Sequence, residues 1–68
     1  MNALKTMRTN RGLSQSELAE KSGVDVRMIQ HYEQGTKDIN RAKAITAVRL
    51  SEALRCKIRD ILNPDDNL

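Results

Sequence analysis

Aromatic carbon is nearly missing from this chain: it has no tryptophan and no phenylalanine, and Tyr32 is its one aromatic by that count. A platform of rings for stacking bases is therefore excluded, and Tyr32 reads as a core residue with its hydroxyl at the edge. Cysteine is reduced to Cys56, so no internal disulfide can form; a reducing compartment is expected and extracellular stapling is excluded. His31 has no second histidine to share a metal, and no metal, cofactor or small-molecule ligand is expected. No apolar run approaches the roughly 20 residues of a membrane span, and Met1-Asn2-Ala3-Leu4 lacks the apolar segment of a signal peptide. A soluble, cytoplasmic protein is the expectation. The chain shows no nucleophile with a positioned base, no carboxylate pair in tuned surroundings and no phosphate-cradling glycine loop, so an enzyme is not expected.

What remains is short, aliphatic and basic. Sixty-eight residues make one small domain, read as 1–68, with no room for a separate sensor domain. The single proline, Pro64, stands just before an acidic end, and residues 63–68 are expected to fray. The formal net charge is +3, which favours a polyanionic partner without demanding one. Six of the basic residues, at positions 41, 43, 49, 55, 57 and 59, face a single acid, Glu52, within Arg41 to Arg59. The C-terminal half is the basic half.

No strand pattern is present, and the apolar spacing predicts five helices. A first over about 3–10 places Leu4 and Met7 on one side and ends at Gly12. The second has the clearest start: Ser14 and Glu17 form a capping box, and Leu13 and Leu18 occupy the hydrophobic-staple positions. Leu18, Ala19 and Ser22 face inward, and Gly23 allows a sharp turn into Val24-Asp25, where Asp25 can cap a third helix and Val24 can pack on Ile29. That third helix, about 25–34, buries Ile29 and Tyr32 and stops at Gly35. A fourth, roughly 43–54, offers Ala44, Ala47, Leu50, Ser51 and Leu54 inward, and a short fifth holds Ile58, Ile61 and Leu62. Two helices joined by a tight turn over about 14–34, the second presenting Arg27, Gln30, His31 and Gln34 with no carboxylate among them, make a surface suited to reading DNA.

Arg8, Leu13, Gln15, Leu18, Ala19, Gly23, Ile29, Glu33 and Gly35 together resemble the Cro and phage-repressor type of helix-turn-helix regulator, the Xre family, over about Leu4 to Leu62. The resemblance implies an all-α, compact five-helix domain of lambda-repressor type. It also implies a homodimer whose third helix enters the major groove of a double-stranded operator. Each base pair shows a distinct donor and acceptor pattern there, so side chains of that helix can read sequence. Val26, Arg27, Gln30 and His31 are the expected base readers. Arg27 could hold a guanine by two hydrogen bonds, and Val26 could meet a thymine methyl. Gln15 resembles the family's phosphate-binding glutamine, and Gln34, Lys37 and Arg41 are expected phosphate contacts. Lys37, Arg41 and Lys43 divide between that role and simple solubility, whereas Arg49, Arg55, Lys57 and Arg59 are assigned to solvent.

Arg8 and Glu33 hold positions that face each other in this family and are expected to form a structural ion pair. Ile45 and Val48 lie one turn apart off the inward stripe, as a dimer patch or a shield for the core's edge. Three departures from the family stand out. Arg55 replaces a glycine that ends helix four, Lys57 replaces a serine cap, and Lys43 sits at another cap, so a modestly stable C-terminal half is expected. The segment 36–42 is also longer than in the shortest phage repressors. The function expected is sequence-specific DNA binding by a small transcriptional regulator, a repressor in the first reading. The alternative is an antitoxin or adaptor that uses the same fold for protein–protein interaction.

Overall fold

The computed structural model describes residues 2–64. Four α-helices are present, α1 Ala3–Asn10, α2 Gln15–Ser22, α3 Val26–Gln34 and α4 Ala44–Leu54, with two single 3₁₀ turns, Ile39–Arg41 and Ile58–Asp60. No strand occurs among the described residues.

Each early helix starts on a side chain that satisfies an orphan backbone amide. Asn2 Oδ1 accepts from the Lys5 amide at 2.9 Å to open α1. At α2 the capping box is complete: Ser14 Oγ accepts from the Glu17 amide at 3.0 Å and Glu17 Oε1 from the Ser14 amide at 2.9 Å. Those bonds, the backbone one first, hold the Glu17 carboxyl below its ordinary range. Asp25 Oδ1 accepts from the Arg27 amide at 2.7 Å to open α3. The exits of α2 and α3 fall on Gly23 and Gly35, at φ 73° and 83°, left-handed values that a side chain rarely tolerates.

The second half begins and ends less well. Lys43 stands at the N-cap of α4 with no side-chain bond, since an ammonium has no acceptor to offer. Arg55 ends α4 at φ 55°, the one non-glycine residue with positive φ among the described residues. The fifth helix expected from Ile58 to Leu62 is only a turn, closed by Asp60 N to Lys57 O at 2.9 Å and Ile61 N to Ile58 O at 3.0 Å. The physical reason is local: Pro64 disfavours helix at Asn63, so too few residues remain to offset nucleation. With the turn in place of a helix, Ile58 is exposed, while Ile61 is fully buried and Leu62 half-buried. Ala44, expected inward, lies exposed in the first turn of α4.

The core is aliphatic. Leu4, Leu18, Ile29, Ile39, Leu50, Leu54 and Ile61 are fully buried, with Tyr32 and Val24 closing the cluster and Met7, Leu13 and Met28 packed at its border. α2 packs on both α3 and α4, and α1 packs on α3, so the two helices around Gly23 are held from behind. Truncating one such buried leucine costs about 2–5 kcal/mol, a large share of what a domain of this size possesses.

Three elements of the packing have weak sequence signals. Ile39 fills the core from the middle of the polar segment 36–42, on a turn capped by Asp38 Oδ1 accepting from the Asn40 amide at 2.9 Å. Arg11 reaches across to the end of α4, its Nε donating to the Leu54 carbonyl at 2.7 Å and its Nη2 to the Arg55 carbonyl at 3.4 Å. Asn63 ties the chain ends together: its Oδ1 accepts from the Ala3 amide at 3.1 Å. Asn40 Nδ2 donates to the Asn63 carbonyl at 2.8 Å, and the Asn63 amide donates to Asn40 Oδ1 at 2.9 Å. The end expected to fray from 63 is thus held at its first residue; 65–68 lie outside the described residues.

Candidate nucleic-acid interface

A buried ion pair orients α3. Arg8 Nε donates to Glu33 Oε2 at 2.7 Å and Nη2 to Glu33 Oε1 at 2.9 Å, in the forked geometry that suits a guanidinium to a carboxylate. Arg8 Nη1 donates to the Leu13 carbonyl at 2.7 Å, so α1, the lead into α2 and α3 meet on one side chain. The side chains of Arg8 and Glu33 are 10% and 3% exposed. Hydrogen bonding to Glu33 raises the Arg8 pKa further, and no buried side-chain nitrogen or oxygen among the described residues lacks a partner. A second tie runs from Asn2 Nδ2 to the Tyr32 carbonyl at 2.7 Å.

This arrangement has an electrostatic result. Glu33 is the one carboxylate within α3, and it is turned into the fold and neutralised. The outward face keeps Arg27 and His31 exposed, Gln34 exposed at the last turn, and Val26 and Gln30 half-buried along its flank. A surface of that kind meets phosphate without like-charge repulsion.

Gln15 is half-buried at the start of α2 and donates from Nε2 to Glu33 Oε1 at 3.1 Å. The primary amide has two N–H groups, so one stays free beside the N-terminal amides of the helix. Gln15 is therefore the hinge between the ion pair and the surface. Past α3, Lys37, Arg41 and Lys43 come together on the rim of a cleft of about 500 Å³ whose floor includes Met28 and Tyr32 and whose rim also holds Asp38. All three cations are exposed. His31 is anchored by a contact that its sequence position does not reveal: Nδ1 lies 2.7 Å from Thr36 Oγ1.

A tight glycine turn between two short helices, the second polar outward and fastened inward by an ion pair, defines a helix-turn-helix module. The chain belongs to the helix-turn-helix family of Cro/C1 type, whose members are DNA-binding transcription regulators; the family model matches residues 4–61. Among solved structures it is similar to the restriction-modification controller protein C.AhdI from Aeromonas hydrophila, with a TM-score of 0.77 and 30% identity. The match covers 88% of this chain and 86% of that one. No curated protein matches it. Family and structural neighbour are regulatory proteins rather than enzymes. Among the described residues no helix is long and apolar enough to cross a membrane.

Proposed function

We propose that this chain binds double-stranded DNA sequence-specifically as a homodimeric transcriptional repressor in the cytoplasm, with α3 lying in the major groove. The observation behind this reading is the composition of α3 in place: Arg27, His31 and Gln34 are exposed, with Gln30 half-buried beside them, while its carboxylate is buried against Arg8. A helix of this diameter fits the major groove, and its N-terminal side chains are the ones that reach base edges. Val26, Arg27, Gln30 and His31 are the readers. Gln15 through its free N–H, Gln34, Lys37 and Arg41 contact phosphates and set the register. The similarity to a controller protein of restriction-modification supports a role as a compact regulator of gene expression.

Selection of bound duplexes from a random pool, followed by gel shifts at several salt concentrations, tests the assignment. Arg27→Ala is expected to relax specificity at one base by about 1–3 kcal/mol. Lys37→Ala and Arg41→Ala are expected to weaken all sequences alike, each lowering the salt slope by about one. Equal losses on specific and random duplexes for all three variants would overturn the division of roles. No duplex binding at low salt would overturn the regulator reading itself and leave an adaptor or antitoxin acting through protein contacts.

A further inference from the structure

We infer that Thr36 fixes the tautomer of His31, and that His31 consequently reads as a hydrogen-bond acceptor, selecting adenine or cytosine at the base it meets. The base assignment rests on the regulator reading above; the tautomer stands on the contacts alone.

Three contacts converge at the end of α3. Thr36 Oγ1 lies 3.2 Å from the His31 carbonyl oxygen and 2.7 Å from His31 Nδ1. The Lys37 amide donates to the same carbonyl at 3.3 Å, which a carbonyl with two lone pairs can accept together with a hydroxyl. A carbonyl never donates, so the short approach of Thr36 Oγ1 to it is favourable only if the hydroxyl proton lies between them. A threonine hydroxyl has one proton. With that O–H directed at the carbonyl, Oγ1 faces Nδ1 with a lone pair, and Nδ1 is the donor. In a neutral imidazole there is one N–H, so Nε2 is left bare as an acceptor. The opposite arrangement, with Thr36 donating to Nδ1, would set two oxygen lone pairs against each other at 3.2 Å with no proton between them.

The consequence for recognition follows from the base edges. In the major groove adenine and cytosine offer exocyclic amino donors, whereas guanine O6 and N7 and thymine O4 are acceptors. His31 is exposed, one turn beyond Arg27 on the same outward face, so a bare Nε2 can accept from an adenine N6 or cytosine N4 amino group and is repelled by guanine and thymine. Arg27 supplies donors and His31 an acceptor, giving two positions of opposite hydrogen-bonding sense on one helix. Thr36 is a positioning residue that touches no base.

Two measurements test this. Long-range proton–nitrogen correlation spectra of the free protein at about pH 8.5 are expected to show Nδ1 protonated and Nε2 bare. Thr36→Ser should keep that pattern, and Thr36→Val should lose it. Selection of duplexes should then give adenine or cytosine at the one position whose preference disappears in His31→Ala. That preference should drop about threefold to tenfold in Thr36→Val and return in Thr36→Ser. Protonation at Nε2 in the unaltered protein overturns the tautomer. Guanine or thymine at the His31-dependent position overturns the base assignment and leaves the regulator reading standing. Nδ1 protonated with no duplex bound at all would sink the regulator reading, and the base assignment with it.

Discussion

Arg8 and Glu33 tie α1 to α3 through a forked ion pair. Each is nearly closed off from water, and the guanidinium spends all three nitrogens inside the protein. Desolvating two charges costs several kcal/mol, which the forked geometry offsets only while both partners are present. Arg8→Ala, which strands the Glu33 carboxylate with Gln15 as its remaining side-chain partner, is expected to lower stability by about 3–5 kcal/mol in urea denaturation. The double replacement Arg8→Met with Glu33→Leu should recover most of that, because the desolvation cost goes with the charges. A double variant as unstable as the single one would show that Arg8 matters through its bond to the Leu13 carbonyl instead. The pairing of Arg8 with Glu33 could be expected from resemblance alone, whereas the bond from Gln15 to the same carboxylate required the structure. A glutamine at a helix start gives no indication of which side chain lies across from it.

At the scale of elements, α2 and α4 show opposite terminal chemistry. The Glu17 carboxyl is depressed by the Ser14 bonds, so it binds protons less readily folded than unfolded, and its ionised form contributes stability above the ordinary glutamate value of 4.5. That contribution is lost as pH falls through the lower, folded value. Glu17→Gln keeps a neutral acceptor in the capping box. Its melting temperature is expected to lie below that of the unaltered protein at neutral pH and to converge with it in acid, as pH falls through the depressed folded value. A gap independent of pH would mean the charge plays no part. The far end of α4 has the reverse defect, since Arg55 holds φ 55° at a position glycine fills at no steric cost. Arg55→Gly is expected to raise stability by about 1 kcal/mol, seen as a higher melting temperature. The backbone carbonyls that Arg11 caps remain in place in that variant. Weak caps at Lys43, Arg55 and Lys57 are readable as residue types, while the left-handed backbone of Arg55 is given by the structure. The fifth helix misleads by pattern, because Ile58, Ile61 and Leu62 suit a helix, while the short count of residues before Pro64, also present in the sequence, defeats it.

The molecule extends 34 × 21 × 20 Å, and the operator binding proposed above bears on how many copies it takes. Two half-sites one helical turn apart lie about 34–36 Å from centre to centre, so one copy presents one α3 and a symmetric pair is needed for two. Among the described residues, Ile45, 54% exposed, and Ile58, 38% exposed, are the large hydrophobics left on the surface. If they meet a second copy, Ile45→Glu is expected to weaken self-association about tenfold in sedimentation equilibrium, and to flatten cooperative binding in gel shifts. Unchanged association would place the dimer surface elsewhere. The bonds of Asn63 to Asn40 and Ala3 bring it against both the turn that follows α3 and the start of α1.

The sequence by itself determined the helices of the first half, their caps and their glycine exits, because those signals act between residues three or four apart and need no distant partner. It also determined that α3 would present basic and amide side chains outward. Tertiary structure alone decided what lay across the fold: Ile39 in the core, Arg11 on the end of α4, Gln15 on Glu33 and the asparagine ties. Each of these joins segments separated by many positions, and a side chain's type says that it can donate or be buried without saying to whom. The proton on His31 is a nearer case, set by a hydroxyl five positions on, beyond the turn at Gly35, that comes within reach only when that turn is formed.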